Sequence, residues 1–147
     1  MPIVVQPPVV TMLVVLSAWL IHAVLGPWQP IVSVSVLGGV LVALGFSCMM
    51  WARILFTSRN TTLFVGRPSS QLVCDGPFRW SRNPMYVGVL VFLMGLALWV
   101  GTWPFYMAVP STFLFLNFFH IPREERLLRE SFGEQYLTYS KDVRQWL

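Results

Sequence analysis

The sequence predicts an all-α integral membrane protein: one domain over residues 1–147, with four spans, a loop between the second and third, and a C-terminal amphipathic helix. Three observations predict it. First, 56% of the 147 residues are hydrophobic, 11% are charged and the mean hydropathy is +0.65, more apolar surface than a soluble domain of this size can bury. Second, the charged side chains, 10 basic and 6 acidic, are segregated: none lies in 1–52, Arg53, Arg59, Arg67, Asp75, Arg79 and Arg82 follow, none lies in 83–122, and the rest fall in 123–144. Third, each uncharged block is about twice the roughly 20 residues that a helix needs to cross the hydrocarbon core, so each holds a hairpin of two spans.

Taken in order, the first block breaks at Gly26-Pro27-Trp28-Gln29-Pro30, where two prolines and a glycine interrupt a helix, leaving spans at about 9–25 and 31–55. The start of the chain has no basic region and the apolar run is long for a signal peptide, so this span is read as retained. The second block breaks at Gly101-Thr102-Trp103-Pro104, leaving spans at about 85–100 and 104–119. Loop 56–84 is basic and the opposite turns are uncharged. The positive-inside rule therefore places that loop, segment 120–147 and both chain ends in the cytoplasm. Trp28, Trp51, Trp80, Trp99 and Trp103 sit near span ends, as an aromatic belt would have them. Gly38 and Gly45, and again Gly88 and Gly95, lie seven residues apart, two turns along one face, and predict packing seams. His22, the ionisable side chain well inside a span, is read as hydrogen-bonded within the bundle.

Composition also excludes classes of function. The formal charge is +4 and the pI near 9.6, but the basic residues line a membrane-proximal loop, which predicts anionic lipid headgroups rather than nucleic acid as partner. Cys48 and Cys74 match neither a disulfide framework nor a metal-ligand spacing, so no metal is expected. The absence of Asp, Glu, Lys and Arg from the membrane interior weakens a proton-coupled transporter reading. Chemistry is expected at the cytoplasmic face.

The polar equipment there falls in two stretches, 72–88 and 123–139, flanking spans three and four. A helical hairpin returns to its starting side, so Asn83 and Glu124 are expected at one surface, within reach of one small molecule. Each residue also has a plain structural job. Ser81 or Asn83 can cap the third span, Pro84 fits its first turn, Arg82 can anchor to phosphates and Tyr86 can sit at the interface. Asp75-Gly76-Pro77 reads as a turn. Glu124 and Glu125 suit the first turn of a helix after Pro122, and Glu125 can pair with Arg129. Leu127, Leu128 and Phe132 are expected to face the bilayer or the bundle.

Together the stretches carry Leu72-Val73 with Gly76-Pro77-Phe78, then Arg82-Asn83-Pro84-Met85-Tyr86-Val87-Gly88, then Glu124-Glu125, then Phe132-Gly133 with Tyr136 and Tyr139. Over residues 57–147 this resembles the isoprenylcysteine carboxyl methyltransferases and their relatives among the phospholipid N-methyltransferases. The resemblance implies S-adenosylmethionine as cofactor and methyl transfer to a lipophilic or lipidated acceptor at the membrane surface. It places cofactor contacts at Leu72, Val73, Gly76, Phe78, Asn83, Pro84, Met85, Tyr86 and Glu124. Arg82 and Arg79 are candidates for the cofactor's carboxylate, Glu124 can offset its positive charge, and Glu125 can equally be a brace. Asn83, Glu124 and His120 are the candidate catalytic residues.

Asn83 stands where that family usually has His, so a group able to carry charge is replaced by a neutral amide. A carboxylate or thiolate acceptor needs no base, only an in-line approach in a dry pocket, and is favoured on that ground. A phospholipid amine would first have to lose a proton, leaving His120, Glu124 or Glu125 to take it. Two alternatives need no methyl transfer: a relative of the NADPH-dependent sterol-type reductases, and a non-catalytic small membrane subunit.

Overall fold

A computed structural model describes residues 7–26, 29–58 and 72–147. Pro27 and Trp28 of the first break, and Arg59 and Arg67 of the basic loop, lie outside the described residues. Six α-helices appear in order: α1 (Pro7–Leu25), α2 (Ser35–Ser58), α3 (Pro84–Val100), α4 (Trp103–Phe115), α5 (Ile121–Phe132) and α6 (Glu134–Asp142). A single 3-10 turn, Gly76–Arg79, precedes α3, and there is no strand among the described residues.

The segment Ser35–Leu55 is long and apolar enough to cross a membrane by itself, whereas Val9–Leu25 and Pro84–Val100 are shorter apolar helices. Much of the outward surface of α1 and α2 is large and apolar, including Leu16, Trp19, Leu20, Val36, Leu44 and Phe46. Faces of that kind are stable against lipid or another apolar surface and costly against water.

The closest helix pair is α2 against α3, and the four glycines make it possible. A Cβ on Gly45 would stand 2.5 Å from the backbone nitrogen of Phe92, and one on Gly38 would stand 2.7 Å from that of Trp99. Seen from α3, a Cβ on Gly95 would meet the Val42 nitrogen at 2.5 Å, and one on Gly88 the Gly45 carbonyl at 2.8 Å. Antiparallel backbones in contact at two places, seven residues apart on each helix, form the seam that the spacing predicts.

At one end of the bundle the turn after α3 joins the helices. Gly101 adopts φ +79°, the left-handed conformation that favours glycine. Its carbonyl accepts from the Ile31 N–H at 2.8 Å, while the Leu98 carbonyl accepts from Val34 at 3.0 Å. Tyr106 Oη donates to the Val32 carbonyl at 2.7 Å. His22 Nδ1 lies 3.0 Å from Thr102 Oγ1, so its hydrogen bond within the bundle is found, between α1 and the α3–α4 turn. Ala18 of α1 is buried with Ala97, Phe105 and Ala108, closing the core on that side.

Three boundaries differ from the expectation. Helix α2 begins at Ser35 rather than near 31; before it, Ile31 and Val34 donate their N–H groups to the Gly101 and Leu98 carbonyls. The helix of the fourth expected span continues past 119. Helix α4 runs through a π-turn, Leu116–His120, straight into α5, with the Ile121 N–H donating to Leu116 five residues back. Pro122, in the first turn of α5, lacks only an N–H and fits there without ending the helix. The single C-terminal amphipathic helix is two helices, since Gly133 takes φ +50° and ψ −123° and turns the chain between α5 and α6.

Gly45→Ala and Gly95→Ala are each expected to cost about 1–3 kcal/mol through overpacking, whereas Gly39→Ala, with nothing within 4 Å of its Cβ, should be neutral. Thermal unfolding of the three variants in detergent checks this. Equal midpoints would remove the seam from the account.

Candidate active site

The stretch before α3 is shaped by burial. Val73 and Phe78 are buried with Ala52 of α2, and Leu55 and Met85 pack against them. Gly76, at φ +59°, allows the chain to double back: a Cβ there would stand 3.0 Å from the Leu55 side chain. Ser81, buried, accepts the Asn83 N–H on its Oγ at 3.0 Å. The Asn83 carbonyl accepts the N–H groups of Tyr86 and Val87, starting α3 with Pro84 in its first turn.

The second stretch follows the π-turn. Glu124 and Glu125 project from the start of α5. Glu124 Oε2 accepts from Tyr86 Oη at 2.8 Å, and Glu124 Oε1 lies 3.3 Å from His120 Nε2. The His120 ring also meets the Tyr86 ring edge-on, with centroids 5.6 Å apart. Next to this group, Arg82 Nη2 stands 2.8 Å from Glu125 Oε1, and Arg129 Nη2 donates to Glu125 Oε2 at 3.3 Å. The Arg82–Glu125 and His120–Glu124 contacts are close but poorly aligned for hydrogen bonds, and the first is an ion pair.

Helix α6 covers the junction. Arg82 Nη1 donates to the Ser140 carbonyl and Tyr139 Oη to the Phe78 carbonyl, both at 2.8 Å. Burial, followed by the charge of Glu125, pushes the Tyr136 hydroxyl up to about 12. Burial also raises Tyr139, with the neighbouring Cys74 and Tyr136 adding to the effect. Both phenols therefore stay neutral donors at physiological pH.

A cavity of about 50 Å³ remains between these elements. Leu72, Val73, Phe78 and Leu128 form its apolar wall, Arg82, Asn83, Glu124 and Glu125 its polar wall, and Tyr136 and Tyr139 its cover. The structure thus brings Leu72, Val73, Phe78, Arg82, Asn83 and Glu124 to one place. Tyr86 and His120 stand behind Glu124 and hold it. Gly76, Pro84 and Met85 lie outside the lining: Gly76 makes the turn, Met85 packs behind Val73 and Phe78, and the Pro84 carbonyl accepts from Cys48 Sγ at 3.3 Å. Arg79 is exposed on the 3-10 turn, away from the cavity. The Asn83 amide nitrogen donates to the Gln145 carbonyl at 2.9 Å, so part of its capacity is structural.

Sequence reasoning gave no cavity role to Leu128, Tyr136 or Tyr139, although both tyrosines stand in the motif after Gly133; their three-residue spacing was the available signal. It also missed Asn117 and residues 144–146, which carry no pattern.

The family described as phospholipid methyltransferase matches residues 33–135, and the chain belongs to it. An uncharacterized protein of Haemophilus influenzae is 38% identical over 63 residues, covering 43% of this chain and the whole of that relative. No solved structure matches. The matched region contains the first polar stretch, the helices that follow it and the second stretch as far as Gln135.

A double-mutant cycle on Arg82→Ala and Glu125→Ala should give a coupling of about 0.5–3 kcal/mol in unfolding free energy, because both side chains are only 14% exposed. Additive effects would show that the contact contributes nothing.

Proposed function

We propose that the chain is a four-span membrane enzyme that transfers a methyl group from S-adenosylmethionine to a lipophilic acceptor at the cytoplasmic face. The observation that carries the reading is the meeting of Glu124 with Tyr86, and of Glu125 with Arg82, around a cavity with an opposing apolar wall. Methyltransferase family membership supports it, and favours it over the reductase and subunit readings.

The residues present fit such a cofactor. Glu124 offers a carboxylate to a sulfonium or ammonium, Leu72, Val73, Phe78 and Leu128 offer walls to a purine, and Arg82 Nε is buried with no hydrogen-bond partner, a donor left over for a carboxylate. Sites for guests of this size are about 300 Å³ or more, so binding has to enlarge the cavity.

When bound, the cofactor supplies an electrophilic methyl group on sulfur. The chain's own residues hold and exclude. Tyr86 and His120 fix the Glu124 carboxylate from two sides, Arg82 is fixed by Glu125 and Ser140, and the tyrosines of α6 keep water out. The proposed acceptor is a carboxylate or thiolate on a lipid-soluble molecule, since alignment and dryness suffice for a nucleophile already formed. A phospholipid amine is the second reading. It is favoured by the buried His120 beside Glu124, a pair able to receive a proton, and by the family's description.

Calorimetric titration of the purified chain with S-adenosylmethionine is expected to show binding. Glu124→Gln should weaken it at least tenfold and Glu125→Gln less; no heat with the wild type, or equal and negligible effects of the two variants, overturns the reading. Membranes incubated with methyl-labelled cofactor should transfer label to a lipid-soluble fraction. Hydroxide-labile label indicates a methyl ester, hydroxide-stable label outside phospholipid a methyl thioether, and stable label in phospholipid the amine.

A further inference from the structure

Asn117 is a side-chain amide on the π-turn, inside the stretch 83–122 that carries no charged residue. An amide in apolar surroundings is costly unless its polar atoms are paired. Its Oδ1 accepts twice, from Trp146 Nε1 at 3.0 Å and from Gln145 Nε2 at 3.3 Å. Both donors come from the short segment after α6. That segment also faces the other polar stretch. The Arg144 carbonyl accepts the Arg82 N–H at 2.9 Å, and the Gln145 carbonyl accepts Asn83 Nδ2 at 2.9 Å and Ser81 Oγ at 3.3 Å. The Trp146 ring packs 5.2 Å from Phe113 and against the buried cluster of Tyr86, Leu116 and Ile121.

Residues 144–146 therefore connect the end of α4 to the start of α3 through five hydrogen bonds. Arg82 and Asn83 line the cavity, yet neither their backbone nor the Asn83 amide is fixed by the acidic couplet. The Arg82 N–H and the Asn83 amide are held by this segment, and the segment is anchored on Asn117. We infer that Asn117 and Trp146 are positioning residues of the cofactor site, holding Arg82 and Asn83 opposite Glu124 and Glu125 without lining the cavity themselves. This assignment rests on the methyl-transfer reading.

The chemistry of the anchor decides the test. Asn117→Ala removes the acceptor of both donors, whereas Asn117→Asp keeps an oxygen at the same place. In the full chain in detergent, Asn117→Ala is expected to weaken S-adenosylmethionine about tenfold by calorimetry, and Asn117→Asp to stay within about threefold of wild type. Hydrogen exchange of the Arg82 amide, read without cofactor, should quicken in Asn117→Ala and not in Asn117→Asp. Trp146→Phe removes the N–H with the five-membered half of the indole but keeps an aromatic ring; it should weaken binding about threefold, and it carries the test if Asn117→Ala does not fold. A wild type that binds, with Asn117→Ala or its stand-in Trp146→Phe equal to it, overturns this assignment alone, as does an Asn117→Asp as weak as Asn117→Ala. A wild type that binds no S-adenosylmethionine overturns the methyl-transfer reading and this assignment with it.

Discussion

Two carboxylates on the first turn of α5 need partners, and the whole functional end of the molecule is arranged around supplying them. Glu124 and Glu125 follow a long uncharged stretch and are only partly open to water, where an unpaired acid would cost several kcal/mol. Their partners, Arg82 and Tyr86, come from the other side of the α3–α4 hairpin, four residues apart across the start of α3. Satisfying the acids thus fixes α5 against α3, and the cavity is the space left over between those fixings.

That arrangement is reached from a rigid base. Helices α2 and α3 touch backbone to backbone at their glycines, and the opposite end of the bundle is tied by Gly101, Thr102 and the residues before α2. Neither set of contacts lies at the cavity. Their effect on it is indirect: they set the direction in which α3 presents Asn83 and Tyr86, so that little ordering is left to be paid for at the site itself.

Hydropathy made the helices legible, because an apolar run bounded by Gly and Pro admits few other structures. The Gly38/Gly45 and Gly88/Gly95 pairs were legible as a seam, since only small residues let backbones meet. The Glu125–Arg129 pair followed from its four-residue spacing and is found at 3.3 Å. What escaped the sequence depends on partners far along the chain. Pro122 reads as a break because local rules cannot show that an N–H is dispensable there. Gly133 divides a stretch whose amphipathic pattern continues on both sides. Gln145 acts on Asn83 mainly through its backbone carbonyl, which any residue carries, so no side-chain pattern marks it.

The π-turn between α4 and α5 has a consequence for how the molecule tolerates change. An additional residue in a helical turn rotates everything downstream by about 100° and advances it by about 1.5 Å. The aim of the acidic couplet is thereby uncoupled from the phase of the helix that precedes it: α4 can keep whichever stripe suits its neighbours while α5 keeps its own bearing. Shortening the chain by one position between 116 and 120 would leave composition and hydropathy almost untouched, yet swing both carboxylates about a quarter of a revolution off target.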